Sequence, residues 1–364
     1  MPAFFSNNTL FRRRLLKNKG AIFGLVIIAI AFLAAVFCYL IAPDNSPNAN
    51  RIIPEIANQK PGFTINFLRV DKMNGLDDNN VFKTLLYGRK DFYDYIPITN
   101  FNIKGDSLVV MKYVDEGVTE RAAFSFDKTA YHFTEKNNIT RQTFWLGTDK
   151  FGRDILSRLI IGTRVSLSVG LITVIISLTL GIMLGALAGY FKGWVDNLIM
   201  WLINVIWSIP TLLLVFAVTL LLGKGFWQVF IAVGLTMWVN VARLVRGQVL
   251  AVKELEYVEA TRALGYSHTR TIVLHILPNI LGPVMVIAAS NFASAIVIEA
   301  GLSFLGVGVQ PPQPSWGLMI KENYNFIITN NPMLALEPGI AIMLLVLAFN
   351  LLGNGLRDAL NVKG

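Results

Sequence analysis

Long apolar runs alternate with polar intervals along most of this 364-residue chain. The six runs extend over residues 21–42, 166–190, 198–222, 226–241, 280–298 and 339–352. Most of them approach the ~20 residues that an α-helix needs to cross the hydrocarbon core of a bilayer. The pattern therefore predicts an all-α polytopic membrane protein with six transmembrane helices.

The longest interval between two runs, residues 43–145, has a different pattern. Acidic and basic residues are equally numerous from Asp44 to Arg141, and Asn-rich turns interrupt the chain. Segments rich in Val, Phe, Tyr and Thr, which are typical of strands, lie at 63–70, 107–114, 119–126 and 130–134. This interval is predicted to be a β-rich insert between the first and second helices, long enough to form a small domain.

The distribution of basic residues predicts the orientation of the spans. Residues 1–20 contain Arg12, Arg13, Arg14, Lys17 and Lys19 without acidic neighbours, so the positive-inside rule places them in the cytoplasm. With six spans both termini are then cytoplasmic, the insert is extracytoplasmic, and the polar interval 249–278 is cytoplasmic. Basic residues at 150–164 run against this assignment, although an interfacial helix can keep their charged ends in water.

Composition and single residues exclude several function classes. Hydrophobic residues make up 54%, charged residues 15%, and mean hydropathy is +0.54, which excludes a soluble protein. The net charge of +9 is scattered beside apolar runs, so it indicates membrane orientation rather than a nucleic-acid partner. His132 has no second ligand at metal-binding spacing, and no phosphate-binding Gly-x-x-x-x-Gly-Lys-Ser/Thr motif is present.

The polar interval before the fifth apolar run has the pattern of two short helices. Good helix formers occupy 257–264, Gly265 provides a left-handed closing position, and Ser267 can cap a second helix. This second helix is predicted to run from His268 toward Pro278, giving a helix-turn-helix elbow. A soluble partner could bind the elbow, and a solvated interhelical loop is the alternative.

The spacing within the elbow resembles the EAA loop of ABC-importer permeases. The matching residues are Glu259 and Ala260, then Gly265, then Leu277 and Pro278, whereas Thr261 and His275 depart from the commonest form. The resemblance implies that Glu259, Ala260, Thr261, Gly265, Leu277 and Pro278 form an ATPase-coupling element. In that family the loop docks into a cleft of a separate ATPase subunit.

A second segment carries a more specific resemblance. Residues 146–158 have the helix-start pattern of an amphipathic surface helix, with Thr148 or Asp149 as cap. The segment is similar to the LGTD-x-x-GRD-x-LSR signature of the dipeptide, oligopeptide and nickel permease family. The matching residues are Leu146, Gly147, Thr148, Asp149, Gly152, Arg153 and Asp154. Segments 302–317 and 348–360 extend the resemblance over 11–43 and the permease core 146–364, but not over the insert.

The resemblance implies a permease subunit of an ATP-binding-cassette importer in the inner membrane, carrying di- or oligopeptides or a similar small solute. The chain would not be an enzyme and would bind no cofactor, because ATP and Mg²⁺ belong to partner ATPase subunits. The implied partners are a second homologous permease, two ABC ATPase subunits, an extracytoplasmic solute-binding protein and the lipid bilayer. Three alternatives remain: an ion-coupled secondary transporter, a permease for nickel or another non-peptide solute, and a membrane-anchored enzyme with its site in the insert.

A few polar residues lie within or beside the predicted spans. Glu299 follows the fifth run, and Asn204, Asn240, Asn291 and Asn350 lie within the third, fourth, fifth and sixth runs. An intramembrane carboxylate is a candidate functional group, but a carboxylate near a span end can also simply reach the interface. The asparagines are predicted to form interhelical hydrogen bonds.

Overall fold

The computed structural model describes residues 8–71, 81–104, 107–125, 138–328 and 331–360. The chain divides into two compact units. The helical unit comprises the described residues of Met1–Phe32, Val165–Gln310 and Gly339–Gly364. The sheet unit comprises those of Leu33–Arg164 and Pro311–Pro338. The sheet unit is thus larger than the predicted insert 43–145.

Most of the described residues are helical. The longer helices, in chain order, are α1 Asn8–Lys17, α2 Lys19–Val36, α3 Cys38–Ile41, α4 Val81–Tyr87, α5 Ile155–Phe191, α6 Gly193–Trp207, α7 Thr211–Leu222, α8 Phe226–Lys253, α9 Glu256–Ala263, α10 His268–Phe304, α11 Trp316–Asn323 and α12 Met333–Leu360. Short 3₁₀ turns lie at Pro47–Ala49, Pro54–Ile56 and Tyr324–Ile327. The strands are β1 Phe63–Asp71, β2 Tyr93–Lys104, β3 Ser107–Asp115, β4 Val118–Ser125 and β5 Ile139–Phe144.

Five helices of the described chain are long and apolar enough to cross a membrane, namely α2, α5, α8, α10 and α12. The predicted mostly helical membrane architecture is therefore confirmed. The separate surface helix predicted at 146–158 is wrong, because α5 begins at Ile155 and continues for 37 residues. The first ten residues of α5 include no proline, and Gly162 among them packs against the Trp316 ring. The helix therefore continues from Ile155 into the apolar run.

The apolar run 198–222 does not form one straight helix. Helices α6 and α7 are separated by a short break and bent by 92°. Pro210 precedes α7 with φ −54° and ψ 125°, so its backbone is extended. Proline has no N–H to donate and disfavours helical backbone at the residue before it, which explains why the single predicted helix is wrong here.

A stripe of glycines brings α5 close to α8 within the helical unit. A Cβ atom on Gly181 would lie 2.4 Å from Val241 Cβ, and one on Gly185 would lie 2.4 Å from the Ala242 carbonyl oxygen. Gly189 continues the four-residue spacing, with the Arg246 carbonyl oxygen 2.8 Å from its would-be Cβ. Small residues at this spacing let two membrane helices pack backbone to backbone.

Helix α10 joins the elbow to the following span without interruption. The second elbow helix was predicted to end near Pro278, but the helix continues to Phe304. Residues Thr271–Ile276 adopt a π-helical turn, in which the Leu277 N–H donates to the Ile272 carbonyl. The Asn279 side chain donates to the His275 carbonyl at 2.6 Å. The wider turn lies directly before Leu277 and Pro278, and a proline inside a helix removes one backbone hydrogen bond.

The sheet unit contains one antiparallel sheet with strand order β4-β3-β2-β1-β5. Strands β1, β3 and β4 agree with predicted segments, whereas the predicted strand 130–134 lies outside the described residues. Strands β2 and β5 were not predicted. Pro97 and several asparagines in β2 disfavour a strand, and a register irregularity between Ile98 and Asn100 accompanies them.

Apolar residues occupy both faces of strand β1. Ile65 and Phe67 pack with Ile53, Ile56 and other residues on one face. Leu68, on the opposite face, packs with a second cluster. Because successive strand residues point to opposite faces, burial of neighbouring Phe67 and Leu68 requires apolar packing on both sides.

Candidate functional site

The elbow is closed by a specific turn at the end of α9. Gly265 has φ +74°, its N–H donates to the Arg262 carbonyl at 2.9 Å, and the Tyr266 N–H donates to the Thr261 carbonyl at 3.0 Å. This pair of bonds is the Schellman motif, which needs a left-handed residue at the glycine position. Ser267 Oγ then accepts the Arg270 N–H and caps α10, as the sequence predicted.

Thr261, which departs from the commonest EAA form, has a structural partner. Its side chain is buried and donates to the Val258 carbonyl at 2.7 Å. Its Oγ1 also lies 3.2 Å from Oγ1 of Thr271, which is likewise buried. The two hydroxyls thereby join α9 to the π-helical turn. His275, the other departure, lies with its ring centroid 5.7 Å from that of Tyr266.

The remaining coupling candidates divide into exposed and half-buried residues. Glu259, Ala260 and Gly265 are exposed, whereas Leu277 and Pro278 are half-buried at the root of the elbow. Leu264, beside the turn, is 71% exposed although it is apolar. An exposed face that combines an apolar side chain with a small residue and a carboxylate is suited to contact with another protein.

The segment 146–154 forms a series of tight turns in the sheet unit. Gly147 has φ +81° and Gly152 has φ +72°. A Cβ atom on Gly152 would lie 1.8 Å from the Ile53 carbonyl oxygen, so only glycine fits. The hydroxyl of Thr148 accepts the Gln59 N–H at 2.9 Å. These contacts tie the segment to residues 53–59.

The charged residues of this segment form a buried network. Asp149 accepts the Arg153 backbone N–H at 3.0 Å and the Arg153 Nε–H at 2.7 Å. Arg153 Nη2 also lies 2.8 Å from Glu322 Oε2, and Arg158 Nη2 lies 3.5 Å from the same oxygen. Buried ion pairs of this kind are costly to break because the remaining charge loses its partner. The LGTD-type signature therefore has a structural role here.

Asp154 caps the start of α5. Its carboxylate accepts the Ser157 N–H at 3.0 Å and also the Ser157 hydroxyl. That hydroxyl in turn accepts the Asp44 N–H at 2.8 Å. Burial raises the pKa of Asp154, while the hydrogen bonds from Ser157 oppose this shift.

Glu299 lies in the packed interior of the helical unit. The side chain is fully buried, and Ser303 Oγ–H donates to its Oε1 at 2.7 Å. Ser303 Oγ accepts the Val309 N–H at 3.0 Å, and a Cβ on Gly308 would lie 2.2 Å from the same oxygen. Glu299 thus helps to fix the turn that follows α10.

A cavity of about 400 Å³ lies within the helical unit. It is lined by residues of α6, α7, α8, α10 and α12 beside the α6–α7 break, among them Trp207, Thr211, Thr236, Asn240, Ser294 and Asn350. The described lining residues are amides, hydroxyls and apolar groups, with no carboxylate or cationic side chain. Non-helical backbone at membrane depth is tolerated where it is buried in protein or lines a water-filled cavity.

The Trp207 side chain makes two contacts at the polar side of this cavity. Trp207 Nε1–H donates to Asn240 Oδ1 at 3.1 Å, which is an interhelical bond of the predicted kind. The Arg243 guanidinium lies 4.1 Å from the Trp207 ring centroid. Of the polar residues singled out from the sequence, Asn240 and Asn350 line the cavity, whereas Glu299, Asn291 and the exposed Asn204 do not.

No group of three or more His, Cys, Asp or Glu residues that could hold a metal ion occurs in the described part of the chain. The acidic side chains near 149–154 are instead paired with arginines or act as helix caps.

Apolar spans, a polar cavity among them and an exposed polar elbow define a membrane transport subunit. The chain belongs to the family of binding-protein-dependent transport system inner membrane components, whose family model matches residues 181–363. A second match, to the N-terminal TM domain of oligopeptide transport permease C, covers residues 8–61. Residues 62–180 lie outside both matches.

Several relatives are named as permease proteins of a transport system. The glutathione transport system permease protein GsiD of Pectobacterium atrosepticum is 41% identical over 233 residues, which cover 64% of this chain and 77% of the relative. The protein of the same name from Escherichia coli is 42% identical over 234 residues with the same coverage. An inward-facing structure of the MetNI methionine ABC transporter is 18% identical, with a TM-score of 0.47, and the match covers 56% of this chain and 97% of that chain.

The family assignment decides among the function classes that the sequence left open. The chain is a multi-pass inner-membrane permease subunit of an ABC importer, and ATP hydrolysis belongs to a partner protein. The interpretation as an ABC permease is confirmed, and the ion-coupled transporter and membrane-anchored enzyme alternatives are set aside.

Proposed function

We propose that this chain is one of two paired permeases in an importer for short peptides, working with two ATPase subunits and an extracytoplasmic binding protein. The peptide solute is supported chiefly by the relatives, which are named as glutathione transport permeases. Neither ATP nor Mg²⁺ would be bound by this chain. Uptake of tritiated glutathione, a tritiated tripeptide and radioactive nickel by cells expressing the transporter separates the solute classes. Uptake of nickel alone would contradict the peptide assignment.

The proposed site of solute contact is the cavity beside the α6–α7 break. Asparagine amides both donate and accept hydrogen bonds, so Asn240 and Asn350 match the amide groups of a peptide without binding a charge tightly. A lining without strong charges favours passage, because a transport site must release its solute. Arg243, stacked on Trp207, can attract a peptide carboxylate toward the polar side.

Replacing Asn240 by Leu tests this assignment. We expect uptake to fall by about 2- to 12-fold, the equivalent of one hydrogen bond of about 0.5–1.5 kcal/mol, while binding-protein-stimulated ATPase activity continues. Asn197→Leu is the matched control, since Asn197 is exposed on α6 and does not line the cavity. Unchanged uptake by the Asn240 variant would remove this residue from the solute path.

The proposed topology has six spans, with the bent pair α6 and α7 as one of them, residues 21–42 within the first, and both termini cytoplasmic. The basic residues from Arg12 to Lys19 support this orientation. Single cysteines at Ser267 and Glu116, introduced into Cys38→Ala protein, report the two sides. An impermeant maleimide applied to intact cells with a permeabilised outer membrane should label position 116 only. Labelling at 267 alone contradicts the topology.

The coupling role proposed for Glu259, Ala260, Thr261, Gly265, Leu277 and Pro278 rests on the shape of the elbow. The Schellman turn at Gly265 closes a short exposed helix that carries an apolar side chain (Leu264), a carboxylate (Glu259) and a small residue (Ala260). The two-threonine contact joins this helix to α10, so a partner that moves the elbow also moves the root of a span.

The extracytoplasmic insert 43–145 is proposed to help seat the binding protein or to brace the partner permease. Phe63 and Phe144 are register partners at the ends of β1 and β5, so a short Gly/Ser linker can replace residues 64–143. We expect the shortened protein either to assemble less with the partner permease or to need more binding protein for half-maximal ATPase activity. If assembly and that concentration are both unchanged, the insert has neither role.

A further inference from the structure

Tyr190, the penultimate residue of α5, lies where the elbow meets the rest of the helical unit. Its side chain is 3% exposed. It packs in a cluster with apolar residues of α8, α9 and α10, including Val249, Val258 and Ile272. The Tyr190 side chain, which belongs to α5, therefore packs together with residues of α8, α9 and α10.

The polar contacts of Tyr190 are directed to the same elements. Its hydroxyl lies 3.0 Å from His268 Nδ1 at the start of α10. The Lys253 ammonium, at the end of α8, donates to the Tyr190 carbonyl at 2.6 Å. The Arg262 guanidinium of α9 and the Lys253 ammonium each lie 5.3 Å from the Tyr190 ring centroid. A buried aromatic ring facing two cations is a favourable electrostatic contact.

The chain after Tyr190 leads directly to the bent pair of helices. Lys192 and Gly193 have φ +56° and +59°, which makes the turn from α5 into α6 tight. Asp196 of α6 accepts two bonds from Arg246 of α8, at 2.5 and 2.6 Å. A continuous series of contacts thus leads from the elbow through Tyr190 to the start of α6, and α6 ends at the cavity.

We infer that Tyr190 is a positioning residue that transmits movement of the elbow to α5 and α6. This inference rests on the proposed coupling role of the elbow and adds the residue through which the movement leaves it. Tyr190 does not belong to the exposed elbow face, because it is buried beneath that face. Its loss should therefore separate ATP hydrolysis from transport rather than prevent the ATPase from binding.

The test uses the complete transporter in liposomes, with tritiated glutathione or a tritiated tripeptide, whichever the wild-type complex takes up. Tyr190→Leu removes the ring and the hydroxyl, whereas Tyr190→Phe removes only the bond to His268. We expect both variants to copurify with the ATPase subunits. The solute transported per ATP hydrolysed should fall at least about fivefold in Tyr190→Leu, the lower end of ordinary coupling effects, and less in Tyr190→Phe.

Tyr87→Leu is the control, since Tyr87 is 69% exposed in the sheet unit. A wild-type ratio in Tyr190→Leu, or loss of the ATPase subunits from that variant, overturns the inference. If Tyr190→Leu fails to accumulate, Tyr190→Phe decides, and an unchanged ratio there has the same consequence. Normal transport by Gly265→Val contradicts the coupling role of the elbow itself, whereas normal transport by Tyr190 variants alone contradicts only the inference about Tyr190.

Discussion

The turn at Gly265 offers the sharpest test of the elbow, because the backbone conformation there restricts the residue type whereas the surrounding space does not. The φ of +74° requires a left-handed residue, whereas a Cβ atom at this position would meet nothing within 4 Å. A substitution therefore perturbs the backbone without creating a clash. Holding a non-glycine residue in this region costs about 1–3 kcal/mol, and a β-branched residue lies toward the upper end.

This strain sets the expected size of the effect. If the elbow must keep the Schellman turn to engage the ATPase, then about 1–3 kcal/mol lowers the competent population by roughly 5- to 150-fold. We expect Gly265→Val protein to reach the membrane at normal abundance while uptake falls by an amount in this range. Gly265→Asn should retain most of the activity, because asparagine tolerates left-handed backbone.

The assay is solute uptake by the reconstituted transporter, measured beside ATPase activity and protein abundance at saturating binding protein. Gly117→Val is the matched control, because Gly117 has φ +78° in an equally open turn of the sheet unit. Wild-type uptake by Gly265→Val would show that the elbow geometry does not couple ATP hydrolysis to transport. Equal loss in the Asn and Val variants would show that backbone strain is not the cause.

Two further predictions concern the sheet unit. Gly152→Ala should sharply reduce the amount of folded protein in the membrane, because a Cβ atom there would lie 1.8 Å from a carbonyl oxygen. The control, Gly62→Ala, should have a mild effect, because Gly62 has φ +86° but open space around it. Glu322→Gln should lower the melting temperature of the solubilised protein by removing a half-buried charge that faces two buried arginines, a loss of about 1.5–3 kcal/mol. The exposed Glu55→Gln is its control, and equal melting of the two variants would contradict the buried-network interpretation.

Local sequence signals predicted the elbow well. Gly265 and Ser267 act through backbone bonds within a few residues, so their types were sufficient to predict a helix end and a cap. The partner of Thr261 was not predictable in the same way. Thr271 lies ten positions away, across the turn, and the hydroxyl contact depends on how the two helices close.

Tertiary packing overrode local preference elsewhere. Strand β2 forms between β1 and β3 despite Pro97, because its apolar residues complete the sheet cluster around Leu68 and Ile98. The break before α7 was signalled by Pro210, yet hydropathy alone counts the run as continuous. The cavity depends on five helices, so no single segment could indicate that Asn240 and Asn350 line one space.

The π-helical turn at Thr271–Ile276 has a consequence for the rotational phase of the elbow. Each residue of an α-helix advances the chain by about 100° around the axis, and a π turn holds one residue more than an α turn. A π turn makes nearly the same rotation as an α turn that has one residue fewer, so these residues keep α9 in the phase of a regular helix one residue shorter. If the same residues closed up as regular α-helix, the extra residue would swing α9 by about 100° relative to the apolar face of α10. The π turn within these six residues therefore sets the direction in which the elbow points, independently of which side chains the elbow carries.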